Sequence, residues 1–128
     1  MDKTIKKKTD QQSLFLEMLS DGREVALLLV LEFLEREEQY ETCHEILLSI
    51  CKWNTKHPEK FVPTKLSGYS DAEDYEESNM MITDIINKYI IDGVFSKETE
   101  DTLELRVAID AIEAISKIYK LEMEVEIV

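Results

Sequence analysis

Glu41 and His44 are the one pair of residues in this sequence with the spacing of metal ligands. Three residues apart on a helix, they lie on adjacent turns, as in carboxylate-bridged di-iron bundles. Such a site needs a second Glu-x-x-His pair and further glutamates. The other histidine, His57, has Asn54 instead of a glutamate three residues before it, and Pro58 follows it. We therefore predict no metal and no cofactor.

The two cysteines, Cys43 and Cys51, lie eight residues apart in a stretch with helical periodicity. Eight residues of helix separate them by about 12 Å, whereas the Cα atoms of a disulfide lie within about 7 Å. We expect both cysteines to be reduced and packed as small hydrophobic residues, as in an intracellular protein.

The glycine spacing excludes the common phosphate-binding and nucleophile loops. Gly22, Gly68 and Gly93 are isolated from one another, while those loops need two or three glycines within a few residues. The three arginines have acidic neighbours, which account for them as surface ion pairs. Because no nucleophile, base or cofactor loop is assembled, the sequence predicts a protein without catalytic activity.

The charge balance indicates the kind of partner. The chain has 28 acidic and 15 basic residues, a net charge of -13. Acidic stretches at 35–45, 71–77 and 98–104 repel nucleic acid and anionic lipid and attract basic surfaces. The longest apolar run, Val25 to Leu31, would be about 10 Å long as a helix, against a hydrocarbon core of roughly 30 Å. We therefore expect a cytoplasmic protein without a membrane-spanning segment.

The scarcity of breakers, with 3 glycines and 2 prolines in 128 residues, predicts a mainly α fold, a compact bundle of four to five helices. Residues 1–8 carry four lysines and one aspartate. They predict a flexible basic tail ahead of a single helical domain over 9–128. Thirteen isoleucines against five alanines are typical of AT-rich coding in bacteria and their phages.

Hydrophobic periodicity locates the first three helices. Thr9 and Gln12 fit a capping box and predict helix 1 over about 10–20. Helix 2 begins near Asp21 and is apolar on every side at first, which predicts burial all round. A 3,4-spaced stripe predicts helix 3 over 40–53. Since no glycine or proline separates them, one continuous helix over 22–53 is the alternative.

The second half of the chain contains a long loop and two further helices. The helical pattern is lost over 54–77, and a loop of this length is usually functional, mobile or made of short strands. Ser78 can cap a fourth helix and Gly93 can end it, while Ser96 can start a fifth that reaches Tyr119. The alternating residues 121–128 predict a short C-terminal β-strand, with a helical extension as the alternative. A strand would pair with residues 60–66 or with another chain.

The loop also predicts a protein-binding surface, because charged residues there alternate with aromatic ones. The alternative is a solvated loop whose basic and acidic halves attract each other. The candidate binding residues are Trp53, Phe61, Tyr69, Asp71, Glu73, Asp74, Tyr75, Glu76 and Glu77.

The apolar start of helix 2 predicts a homodimer, because a chain of this size leaves part of such a surface uncovered. The residues expected at the interface are Val25, Leu28 and Leu29.

Together these features predict a small acidic intracellular protein-interaction module. The expected role is an inhibitor, or a neutralising or regulatory partner, of a basic or nucleic-acid-binding protein. The alternatives are a structural subunit of a homo-oligomeric or viral assembly, and an enzyme whose site the sequence does not reveal.

Overall fold

The computed structural model describes the backbone of residues 3–92, 98–99, 101–120 and 126–127. Side chains are described for residues 11–71, 73, 75–88 and 101–120. The described chain is all-α in class, as the composition predicted, and contains five α-helices. It forms two compact units, residues 1–69 and 70–128, and the boundary falls inside the loop predicted at 54–77. The single domain over 9–128 stays a prediction.

The first unit contains three α-helices: α1 (Lys3–Ser20), α2 (Glu24–Arg36) and α3 (Tyr40–Lys56). These helices contact one another pairwise. Helix α2 is buried on every side at its centre, since five consecutive residues from Leu27 to Leu31 are at most 2% exposed. This confirms the burial that its all-apolar sequence predicted.

Helices α1 and α2 end in the same hydrogen-bonded motif. The N–H of Arg23 donates to Met18 O at 2.8 Å, and the N–H of Gln39 donates to Leu34 O at 2.9 Å. In both motifs the preceding residue is left-handed: Gly22 has φ 76° and Glu38 has φ 58°. This is the Schellman ending, which usually takes glycine. A glutamate in that place separates α2 from α3, and the alternative of one continuous helix over 22–53 is wrong.

Helix α1 begins earlier than its sequence pattern predicted, at Lys3 rather than near residue 10. It therefore includes most of the predicted basic tail, whose flexibility stays a prediction. Gln12 does not cap the helix: its side-chain nitrogen donates to Glu45 Oε2 at 2.5 Å, and its oxygen accepts from Lys52 Nζ at 2.8 Å. These hydrogen bonds join α1 to α3.

The second unit contains α4 (Glu76–Asp92) and α5 (Leu103–Tyr119), which contact each other. Ser78, predicted as a cap, lies inside α4, is fully buried, and donates through Oγ to Glu104 O at 2.6 Å. Helix α5 starts at Leu103, seven residues after Ser96. Its N-cap is Thr102, whose Oγ1 accepts from the N–H of Leu105 at 3.1 Å. The predicted positions of Ser96 and Gly93 lie outside the described residues.

The predicted C-terminal strand is described at two residues. Glu126 and Ile127 (β2) pair in parallel with Glu98 and Thr99 (β1). The partner is therefore not the expected segment 60–66. The other residues of 121–128 lie outside the described part of the chain. A pairing of two residues leaves the class all-α.

Candidate functional site

A cleft of about 310 Å³ lies in the first unit, between the end of α1, the start of α2, the end of α3 and residues 60–69. Three aromatic residues that the sequence singled out line it: Trp53, Phe61 and Tyr69. Leu19 and Val62 add apolar surface to what we call the aromatic cleft. The structure thus brings these three aromatic residues together at one cleft, and their role in protein binding stays a prediction.

Residues 60–62 form one side of the aromatic cleft, and side chains of α3 hydrogen-bond to their backbone. Asn54 Nδ2 donates to Val62 O at 2.9 Å, and Asn54 Oδ1 accepts from the N–H of Val62 at 2.8 Å. Trp53 Nε1 donates to Lys60 O at 2.9 Å. Val62 is 5% exposed, whereas its neighbour Phe61 is 68% exposed. The loop predicted at 54–77 is thus fixed to the helix at this point, with one aromatic ring turned to solvent.

Gly68 allows the segment to fold back on itself. A Cβ atom at this position would lie 2.5 Å from Pro63 Cβ, which is closer than two non-bonded carbon atoms approach. The N–H of Gly68 donates to Lys65 O at 3.0 Å within the short 3-10 turn Leu66–Gly68. The close approach places Tyr69 at the cleft, next to the turn.

Among the residues with described side chains, few charged groups line the aromatic cleft. Glu24 and Lys60 are the acidic and basic residues among its lining. Beside it, the rings of Trp53 and His57 lie 4.1 Å apart between centroids and are inclined by 36°. His57 Nδ1 lies 3.8 Å from Glu59 Oε1. The cleft is therefore suited to an apolar side chain with polar groups at its margin.

The acidic part of the predicted surface belongs to the second unit. Tyr75 Oη donates to Asp71 Oδ2 at 3.3 Å, next to the 3-10 turn Ala72–Tyr75. The side chain of Asp74 lies outside the described residues. The exposed acids of this stretch are Asp71, Glu73, Glu76 and Glu77.

The dimer surface predicted on helix 2 is covered within one chain. Leu28 is 1% exposed and Leu29 is 0% exposed, and Val25 is partly buried. The prediction assumed that a chain of this size leaves these residues exposed to water, whereas Leu28 and Leu29 are buried within the chain. Leu28 and Leu29 therefore offer almost no surface to a partner in this conformation, whereas the homodimer itself and the part of Val25 in it stay predictions.

A second cleft of about 290 Å³ lies between α2, Leu47 of α3 and residues 64–67. Its lining includes Leu31, Leu66 and the carboxylates of Glu32 and Glu35. Burial raises the pKa of Glu32 above its usual value, although the positive charge of Arg36 opposes the rise. Sequence reasoning missed this cleft because the segment 64–67 has no pattern that indicates where it packs.

The residues considered for metal binding do not converge. Glu41 and His44 are both exposed on α3. In the part of the chain with described side chains, no three His, Cys, Asp or Glu residues are grouped as metal ligands would be.

The cysteines are both free thiols, with different environments. Cys43 is buried, and burial raises the pKa of its thiol. Cys51 is exposed, so the expectation that it packs as a small hydrophobic residue is wrong. Cys51 lies on the side of α3 that faces solvent.

No protein-family model, no curated protein and no solved structure matches this chain.

Within the described ranges, none of the helices combines the length and the apolar character needed to cross a bilayer.

Proposed function

We propose that this chain is an acidic protein-interaction module without catalytic activity, and that its aromatic cleft receives an apolar side chain of a partner with a basic surface. The observation that carries the proposal is the exposure of Phe61. Phe61 is 68% exposed although it lines the cleft together with Trp53 and Tyr69.

The aromatic cleft has the physical features of a binding hot spot. Tryptophan and tyrosine are enriched among residues that contribute most to protein–protein affinity, and large aromatic rings bury much apolar area. The hydrogen bonds from Asn54 and Trp53 hold residues 60–62 in place before binding. A preformed loop loses little conformational entropy on association, so more of the contact energy is available for affinity.

The charge of the chain supports a basic partner. A net charge of -13 steers association toward positive surfaces and accelerates it at low ionic strength. Among protein-interaction modules, the charge favours one role. The chain would act as an inhibitor, or as a neutralising or regulatory partner, of a basic or nucleic-acid-binding protein.

The proposal is tested by affinity capture from extracts of the source cell with wild type, Phe61→Ala and Met80→Ala. Met80 is the matched control because it is a large apolar residue of the same exposure, 68%, that does not line the aromatic cleft. We expect a basic protein to be recovered by wild type and Met80→Ala and lost with Phe61→Ala, with unchanged circular dichroism. Titration of the purified partner should show at least tenfold weaker binding for Phe61→Ala and weaker binding of all forms at high salt.

Equal recovery of that partner by all three forms would refute the aromatic cleft as the binding site. A partner whose affinity does not fall with salt would refute the basic-surface part of the proposal, because screening weakens attraction between exposed charges.

A further inference from the structure

Helix α3 presents a continuous exposed face that the proposed function does not use. At about 100° per residue its members fall within an arc of about 120°, which places them on one side of the helix. Tyr40 and Leu48 are among the large apolar residues of the chain that are exposed, by 65% and 37%. The α3 outer face consists of Tyr40, Glu41, His44, Leu48, Cys51, Lys52 and Thr55.

The charges of the α3 outer face are divided between its two ends. Glu41 lies in the first turn of α3, after the exposed Glu37 and Glu38. Lys52 lies on the face near the other end, where its ammonium also donates to Gln12 Oε1 of α1 at 2.8 Å. The exposed Lys56 is the last residue of the helix. Acidic residues near the start of a helix and basic residues near its end also interact favourably with the helix dipole. The dipole, however, gives no reason for the exposed Leu48 between the charged ends or for the exposed Tyr40 within the acidic end.

We infer that the α3 outer face binds the same face of a second copy of this chain, with the two helices antiparallel and Leu48 near the two-fold axis. A two-fold axis makes an interface self-complementary, so each contact occurs twice. With Leu48 at the centre, Glu41 of one copy lies opposite Thr55 of the other.

This arrangement joins unlike charges. At about 100° per residue, Lys52 lies about 20° and Lys56 about 60° around the helix from Glu41, so all three share one flank. In antiparallel helices that pack side by side, a flank of one helix faces the same flank of the other. Glu41 of one copy therefore lies between Lys52 and Lys56 of the second copy. A parallel pair would instead place like charges side by side.

The contact is expected to be weak. A helix of 17 residues is about 25 Å long, so two such faces bury less area than a standard stable interface. The exposed ion pairs add little affinity but determine orientation. We therefore expect a dimer that dissociates on dilution.

Charge reversal tests the inference by sedimentation equilibrium over a wide concentration range, with reductant present because Cys51 is an exposed thiol. The variant Lys52→Glu/Lys56→Glu has an acidic α3 outer face, and Glu41→Lys has a basic one. Wild type should dimerise, each variant alone should dimerise at least tenfold more weakly, and an equimolar mixture of the two variants should recover association.

The matched control is Lys88→Glu/Lys117→Glu, which changes the net charge equally at exposed positions of α4 and α5 and should dimerise nearly as well as wild type. Lys52→Glu also removes the hydrogen bond from Lys52 to Gln12, so circular dichroism checks that each variant folds, and recovery of association by the mixture shows that the lost contact lies between copies. Phe61→Ala should leave the dimer unchanged, which separates this inference from the proposed function.

Three results would each overturn the inference: a wild type that stays monomeric at the highest soluble concentration, a variant mixture that fails to associate, or a control that weakens the dimer as much as Lys52→Glu/Lys56→Glu does.

Discussion

Glu38 occupies a backbone position that normally takes glycine. Its φ of 58° is left-handed, a conformation that costs an L-residue roughly 1–2 kcal/mol. Gly22 occupies the same place in the motif that ends α1. We expect Glu38→Gly to raise the free energy of unfolding by about 0.5–1 kcal/mol, since glycine adopts positive φ without strain but is more flexible when unfolded. Glu38→Gln removes the same charge and should raise it less in urea titrations; equal gains would contradict the argument.

Asp101 and Arg106 form a two-point ion pair, with both nitrogen–oxygen distances at 2.6 Å. The hydrogen bonds from Arg106 hold the pKa of Asp101 below its usual 3.8. A lowered folded-state pKa contributes stability above the unfolded pKa and loses it as pH falls through the folded value. Arg106→Gln should therefore raise the pKa of Asp101 in an NMR titration. Its stability deficit relative to wild type should shrink as the pH is lowered from about 5 to about 2; a deficit that is constant over this range would refute the assignment.

At the scale of elements, Ser78 connects α4 to the first turn of α5. The side chain is fully buried, and its hydroxyl donates to Glu104 O at 2.6 Å. Ser78→Ala should lower the free energy of unfolding by about 1–2 kcal/mol, because a buried hydrogen bond between two helices is lost. Ser116→Ala is the control, since that hydroxyl donates to Glu113 O of its own helix at a more exposed position. Denaturant unfolding should show the smaller loss for Ser116→Ala, and the reverse order would contradict this role of Ser78.

At the scale of the whole molecule, the dominant property is the excess of negative charge. A net charge of -13 repels itself in the compact state, and salt screens that repulsion. We expect Tm to rise by several degrees between about 20 mM and about 300 mM NaCl, over which the Debye length falls well below the size of a small domain. Glu35→Gln/Glu37→Gln should have a higher Tm at low salt and a smaller rise. An unchanged salt response in this variant would show that specific ion effects dominate.

The sequence by itself determined the features that depend on neighbouring residues. The apolar run from Val25 to Leu31 predicted a helix buried on every side, and the scarcity of glycine and proline predicted the all-α class. Trp53, Phe61 and Tyr69 were singled out because aromatic residues interleaved with charged ones are typical of binding surfaces, and their binding role stays a prediction. Such signals act over one or two helical turns, which a sequence displays directly.

Only the tertiary structure decided which partners these residues have. Gln12 bonds Glu45, 33 residues away, instead of capping its own helix. Ser78 bonds the backbone of α5 instead of starting α4, and Leu28 is buried within one chain. Asn54 bonds the backbone of Val62, eight residues away, next to the exposed Phe61. These outcomes depend on which surfaces meet after the chain folds, and the free energy of a hydrogen bond or a buried leucine is set by the partner it finds there.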